Sequence, residues 1–355
     1  MVILHVACIE DNNFSGVCVA VPQHVKEQAQ HAVIGFLNVN NIKIKQLDCQ
    51  LEYKKSFDIK FLPKPFDKPD LVVFHEAYRV QYLCISANLR KNKIPYIIVP
   101  HGELRKEAQK KKWLKKKVAN FLLFNRFING AVAVQCLSEL EQEATLFGKK
   151  KFIGTNGIAM PATQKETFRE KGAHFVYIGR LDMKVKGLDL MLEAVRLKAD
   201  FLRANYCSLQ ICGPDTDRAH AILKELIREK QIEDLVCVKG GVVGEEKEKI
   251  LLNGDVFIQT SRHEGMSMGI LEALSYGLPC LVTRGTNLGE EVESADAGWM
   301  AENDAESIAE ALEKTVLAQP EWVPKSKNAK KYAERNYAWN VIARDTVCMY
   351  KKLLE

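Results

Sequence analysis

No apolar run in this 355-residue chain approaches the ~20 residues that a membrane-spanning helix requires, so an integral membrane protein of helical type is excluded. The opening Met1-Val-Ile-Leu-His-Val-Ala-Cys8 reads as a short first strand rather than a signal peptide, and a cytoplasmic location is the expectation. The ten cysteines are scattered and no C-x-x-C occurs, which indicates neither a disulfide framework nor a zinc site. G-x-G-x-x-G is missing after the first strand, which weighs against a dinucleotide-binding enzyme. Aromatic-interleaved basic motifs and DNA-reading modules are also missing, and no nucleic-acid partner is expected.

What is present is enough chain for two domains, since a single core rarely grows beyond roughly 250 residues. Charge is unevenly divided. Residues 1–160 carry 24 Lys plus Arg against 14 Asp plus Glu, whereas the remainder carries 27 against 31. Much of the N-terminal excess lies in 105–117, Arg-Lys-Glu-Ala-Gln-Lys-Lys-Lys-Trp-Leu-Lys-Lys-Lys. Trp113, Leu114, Val118, Phe121 and Leu122 add an apolar stripe at helical spacing. Two readings stand side by side: peripheral contact with an anionic membrane, or a solvated helix whose apolar face meets the core.

Strand and helix signals alternate from end to end, which implies an α/β fold with doubly wound parallel sheets. Strands are expected at Val2–Val6, Ala32–Phe36, Leu71–Phe74, Tyr96–Val99 and Ala131–Val134, and a second unit of the same pattern starts near Phe175. A first domain over 1–160 and a second over 173–339 follow. The polar, proline-containing segment 160–172 has the composition of a linker. A last helix, about 340–355, is expected to return to the first domain.

The densest local signal is Ser261-Arg-His-Glu-Gly-Met-Ser-Met-Gly-Ile-Leu-Glu-Ala-Leu-Ser-Tyr-Gly-Leu-Pro-Cys280. Asp255–Thr260 before it reads as a buried strand, and Met268–Tyr276 as a helix with Ile270, Leu271 and Leu274 inward, stopped by Gly277 and Pro279. Glu264 and Glu272 therefore flank a helix N-terminus. Free N–H groups and the helix dipole favour an anion there, and the two carboxylates can accept hydroxyl hydrogens of a diol. Solvated helix ends are the plain alternative.

This stretch resembles the signature of the family 4 retaining glycosyltransferases, in which a Glu, seven residues and a second Glu follow a strand and a Ser-Arg-x-Glu-Gly turn. Phe175-Val-Tyr-Ile-Gly-Arg-Leu-Asp-Met-Lys-Val-Lys-Gly-Leu and its following helix, the Gly213-Pro214 turn, Lys239-Gly-Gly-Val-Val-Gly244 and Thr155-Asn-Gly-Ile158 are similar to that family's further motifs, in order. The resemblance implies the GT-B fold, two Rossmann-like domains facing across a cleft. It implies a nucleoside-diphosphate sugar as donor, a glycan or lipid-linked glycan as acceptor, bacterial surface-polysaccharide assembly as setting, and no metal or other cofactor. Lipid-linked acceptors in many relatives bring the membrane reading of 105–117 closer, with the inner face of the cell membrane as the place.

By the same resemblance Arg180 and Lys186 supply charge for the diphosphate, and no Asp-x-Asp occurs in the stretch 175–194 that carries them. Glu272 would hold the ribose and Glu264 the transferred sugar, Gly265, Met266 and Ser267 would present N–H groups, and Val243 would lie along the base. His101, after the strand Tyr96–Val99, is the candidate to contact the sugar or assist at the acceptor, with His75 as its rival. Gly16 would allow close backbone approach, although the family usually has two adjacent glycines where this chain has Ser15-Gly16. The alternatives are another GT-B enzyme (a sugar-nucleotide epimerase or a phosphorylase) and an inactive glycan-binding subunit.

Overall fold

The computed structural model describes residues 1–11, 16–106, 123–148, 150–215, 218–264 and 266–355, Leu140 by its backbone only. Most of the basic segment 105–117 thus lies outside the described residues, as does Gly265. The chain divides into two compact units, one formed by Met1–Gly157 with Trp339–Glu355 and the other by Ile158–Ala338.

The first unit is built on β1 (Val2–Ala7), β2 (Val33–Asn38), β3 (Gln50–Leu51), β4 (Leu71–His75), β5 (Tyr96–Val99), β6 (Ala133–Cys136) and β7 (Lys151–Ile153). All pair parallel, in the order β3-β2-β1-β4-β5-β6-β7. Strands covered on both faces are apolar almost throughout, and β4 and β5 are buried at every position. The helix Trp339–Leu354 buries Trp339, Ile342, Ala343, Thr346, Val347 and Tyr350, a stripe at helical period, and packs on the helix Gly16–Gln28.

The second unit repeats the plan with β8 (His174–Ile178), β9 (Ser208–Cys212), β10 (Val236–Lys239), β11 (Val256–Gln259), β12 (Cys280–Thr283) and β13 (Gly298–Ala301), ordered β10-β9-β8-β11-β12-β13. The helix Leu188–Leu197 turns Leu188, Met191, Leu192 and Val195 into the core, again one face of a helix. Asp304 caps the helix Ala305–Leu317 by accepting from the Ser307 amide at 2.7 Å. In both sheets the strand order reverses beside the first strand of the unit, β1 against β4 and β8 against β11. Open α/β sheets bind ligands beyond the carboxyl ends of the strands at that switch point.

The segment read as a linker, 160–172, is tied down on the second unit. Lys165 donates its amide to the Tyr276 carbonyl at 2.8 Å and its ammonium to Asp255 at 3.2 Å. Asp255 is wholly buried and also accepts from the amides of His174 (2.9 Å) and Arg169 (3.3 Å), which joins the segment to the starts of β8 and β11. A polar sequence signals exposure only when its charges lack partners, and here a buried carboxylate supplies one. Asp255→Ala would leave the Lys165 ammonium buried without its partner and is expected to cost about 3–5 kcal/mol. Urea unfolding measures it, and a loss below about 1 kcal/mol would contradict this account.

Candidate functional site

At the switch point of the second sheet, β8 runs out into Gly179-Arg180 and neighbouring β11 into Thr260–Glu264. Tyr177, fully buried, donates its hydroxyl to the Arg180 carbonyl at 2.8 Å and so fixes the backbone beneath the guanidinium. Burial first, and the Glu264 charge second, push the Tyr177 hydroxyl well above its ordinary range. The Arg180 side chain is exposed, and among the described residues no carboxylate pairs with it.

Lys186 reaches the site through a tight turn. Gly187 has φ +62°, and a Cβ there would lie 2.1 Å from the Thr260 carbonyl oxygen, so only glycine fits. The Thr260 hydroxyl donates to the Gly187 carbonyl at 2.9 Å and locks this turn onto the end of β11. Arg262 ties the other side of the same loop, its guanidinium bidentate on Asp189 at 2.7 and 2.8 Å and its amide on the Val185 carbonyl at 2.9 Å. With both sides held, Lys186 forms an ion pair with Glu264, each side chain only about an eighth exposed at 13 and 12%. Glu264 Oε1 also accepts from the Ser261 hydroxyl at 2.7 Å and from the Gln259 amide at 3.0 Å. An ammonium has three donors, and Glu264 occupies one.

The helix Met268–Ser275 starts beside these groups. A Cβ at Gly269 would come within 3.1 Å of the Ile178 carbonyl, which brings the first turn against the end of β8. Ser267 precedes the helix and makes no capping bond; its hydroxyl donates instead to Gln259 Oε1 at 2.8 Å. The first amides of the helix are therefore not satisfied by a side-chain cap, the arrangement that suits an anion. Met266 is half-buried against the core beneath the helix. Glu272, on the same helix, pairs with Lys247 at 2.8 Å. Val243 is 46% exposed and precedes the helix Gly244–Asn253, which carries Lys247.

The first unit holds a separate cluster. His101 follows β5 with φ +48° and Gly102 with φ +85°, a left-handed pair that a histidine adopts only when surroundings hold it. Glu141, wholly buried, holds it: one carboxylate oxygen accepts from the Gly102 amide at 2.5 Å and the other from the Leu137 amide at 2.6 Å. Burial raises the Glu141 carboxyl above its ordinary range. His75, at the end of β4, meets His101 at 3.1 Å and His5 of β1 at 2.9 Å, so the two rival histidines are partners in one chain. Burial lowers His5 and His101 to about 3 and His24 to about 4. Gly16 opens the helix Gly16–Gln28, and among the described residues a Cβ on it would meet nothing within 4 Å.

Arg180, Lys186, Glu264 and Ser267 thus gather around the ends of β8 and β11, with Met266 before and Glu272 on the helix that starts there, while His101 and Gly16 belong to the other unit. Gln259, Ser261, Lys247, Glu141, His5 and Gln28 carried no role in the sequence analysis. A polar Gln in the buried strand Val-Phe-Ile-Gln and a His inside Val-Ile-Leu-His-Val-Ala were the available signals, because a buried polar side chain needs a partner.

Two Rossmann-ordered units in one chain, the second with cations, carboxylates and a helix N-terminus at its switch point, define a GT-B protein. Residues 161–336, nearly the whole second unit, match the family of glycosyl transferases group 1. Among curated proteins the chain is similar to WcaL of Escherichia coli (strain K12), named provisionally as a colanic acid biosynthesis glycosyltransferase. Identity is 32% over 187 residues, half of this chain and 45% of WcaL. Across WcaL and further curated relatives the chain spans less than half of the relative's length. Among solved structures it resembles the sucrose-phosphate synthase of Thermosynechococcus elongatus, at TM-score 0.74 and 16% identity over 99% of this chain and 98% of that one. It also resembles Anabaena HepE in complex with UDP-glucose, at TM-score 0.73 and 14% identity over 99 and 100%. At such identities the likeness shows the fold.

Proposed function

We propose that this protein is a metal-independent, retaining glycosyltransferase that moves a hexose from a nucleoside diphosphate to a glycan or lipid-linked glycan in bacterial surface-polysaccharide assembly. The observation that carries the reading is the convergence of Arg180, the Lys186–Glu264 pair and the uncapped start of Met268–Ser275 at one switch point. A diphosphate leaving group needs positive charge and N–H donors, and this arrangement offers both. Arg180 is open to solvent and Lys186 is aimed by Glu264, so the two can neutralise the departing phosphate without a metal ion. Glu264 would hold the sugar, Glu272 the ribose, Met266 and Ser267 (with Gly265) would present amides to donor oxygens, and Val243 would border the base. In the first unit, Gly16 and His101 are assigned to substrate hydroxyls. The basic segment 105–117 is assigned to the anionic inner face of the cell membrane.

The names of WcaL and of the HepE complex support the donor and the setting. Retention is proposed to arise by front-face attack assisted by the departing phosphate. Donor hydrolysis tests both finer points: nucleoside diphosphate should be released unchanged in EDTA, and NMR of the freshly released sugar should show the donor's anomeric configuration. An inverted sugar, or release abolished by EDTA, would overturn the corresponding claim.

A further inference from the structure

Four histidines of the first unit, His5, His24, His75 and His101, belong to one hydrogen-bond chain that passes through Gln28. Gln28 sets the polarity of that chain. Its amide nitrogen lies 3.5 Å from His24 Nδ1, and its oxygen lies 3.1 Å from His5 Nε2. His24 confirms this orientation. Its Nε2 meets Asn156 Oδ1 at 2.9 Å and donates there, which leaves Nδ1 as the acceptor a Gln28 N–H requires.

From Gln28 outward each neutral imidazole has one donor and one acceptor, so every link dictates the next. His5 must donate from Nε2 to the Gln28 oxygen, and its Nδ1 accepts. His75 then donates from Nε2 to His5 Nδ1 at 2.9 Å, and its own Nδ1 accepts. His101 in turn donates from Nε2 to His75 Nδ1 at 3.1 Å. Reversal would need Gln28 flipped, setting its oxygen against the lone pair of His24 Nδ1.

We infer that this chain, anchored on Gln28, sets the tautomer of His101, so that His101 carries its proton on Nε2 and presents Nδ1 as a bare acceptor. Among the described residues nothing occupies that Nδ1. His5, His75 and Gln28 are positioning residues, acting through the ring they orient. The chain cannot drain a proton, because it ends on a Gln28 amide oxygen that is not basic, and burial disfavours the imidazolium throughout. His101 is thereby an acceptor of a hydroxyl hydrogen rather than a shuttle. That a sugar supplies the hydroxyl rests on the proposed function; the tautomer does not.

The test is long-range proton–nitrogen NMR of the full chain with 15N-labelled histidine, without ligand, with single-histidine substitutions assigning the eight residues. The expected spectrum shows His5, His75 and His101 all protonated on Nε2 with a pyridine-like Nδ1. Gln28→Leu removes the anchor, and His101 should become a mixture of tautomers. Gln28→Glu restores an acceptor facing His5, its second oxygen turning His24 to the Nδ1-protonated form, and should restore the single tautomer of His101. His101 protonated on Nδ1 in the unaltered chain would overturn the inference, as would a Gln28→Leu spectrum identical to the parent. If Gln28→Leu fails to fold, the parent spectrum decides alone.

Discussion

Arg180→Ala should slow sugar transfer by about 10²–10³-fold, the loss of roughly 3–4 kcal/mol of transition-state stabilisation, while leaving the melting temperature unchanged. The contrast follows from its surroundings. Arg180 is exposed and makes no ion pair among the described residues, so its removal takes nothing from the folded state. Lys186→Ala should slow the reaction to a similar degree, yet it also removes the ammonium that pairs with the largely buried Glu264 and should destabilise the second unit. Kinetics and thermal melts of the two variants side by side check this. Near-normal turnover in Arg180→Ala would remove the guanidinium from the chemistry.

Mild acid should unfold the first unit. His5, His24 and His75 are at most 1% exposed, and burial holds them neutral, with folded values of about 3 for His5, about 4 for His24 and well below 6.5 for His75. In the unfolded chain each binds a proton near pH 6.5. The unfolded state therefore takes up more protons as pH falls. Stability is fully present above about pH 6.5 and is lost progressively as the pH drops toward 4. At pH 5 His5 and His24 should each cost roughly 2 kcal/mol, and His75 adds to them, against the 5–15 kcal/mol that holds a typical domain. The second unit has one histidine lowered by burial, His174, against these three of the first, and a further group with a lower window. Its Glu193, held at about 2 by Arg196 and Lys230, loses its contribution only as pH falls below about 4.5. Melting curves from pH 8 to 4.5 should show an early transition descending first; a flat profile to pH 5 would mean these histidines are not neutral and enclosed.

Much of this was legible in the sequence where one physical pattern governs a stretch by itself. Apolar runs such as Leu71–Phe74 and Tyr96–Val99 read as strands, and both lie in strands buried at every position. The helix after Ser267 was equally plain, because Gly277 stops it and its apolar residues share one face. Partnerships between distant residues were not legible. The composition of 160–172 says linker, and only the fold reveals that Asp255, some 90 positions away from Lys165, draws it in. The Lys186–Glu264 pair spans 78 positions, and its approach depends on the Gly187 backbone resting on Thr260. His5 and His75 stand on neighbouring strands of one sheet and His101 just beyond the end of the next, a proximity set by strand order and register rather than by any local spacing.

The central claim is that the second unit binds a nucleoside-diphosphate sugar through Arg180 and Glu272, and a thermal-shift titration addresses it most directly. The purified chain is screened without metal against UDP, GDP, ADP and TDP and their common sugar conjugates, beside Arg180→Ala and Glu272→Ala. A ligand that binds only the native state raises the melting temperature by mass action. The account predicts stabilisation by one nucleotide series, lost in both variants. No response to any nucleotide, or a response that survives both substitutions, would contradict it.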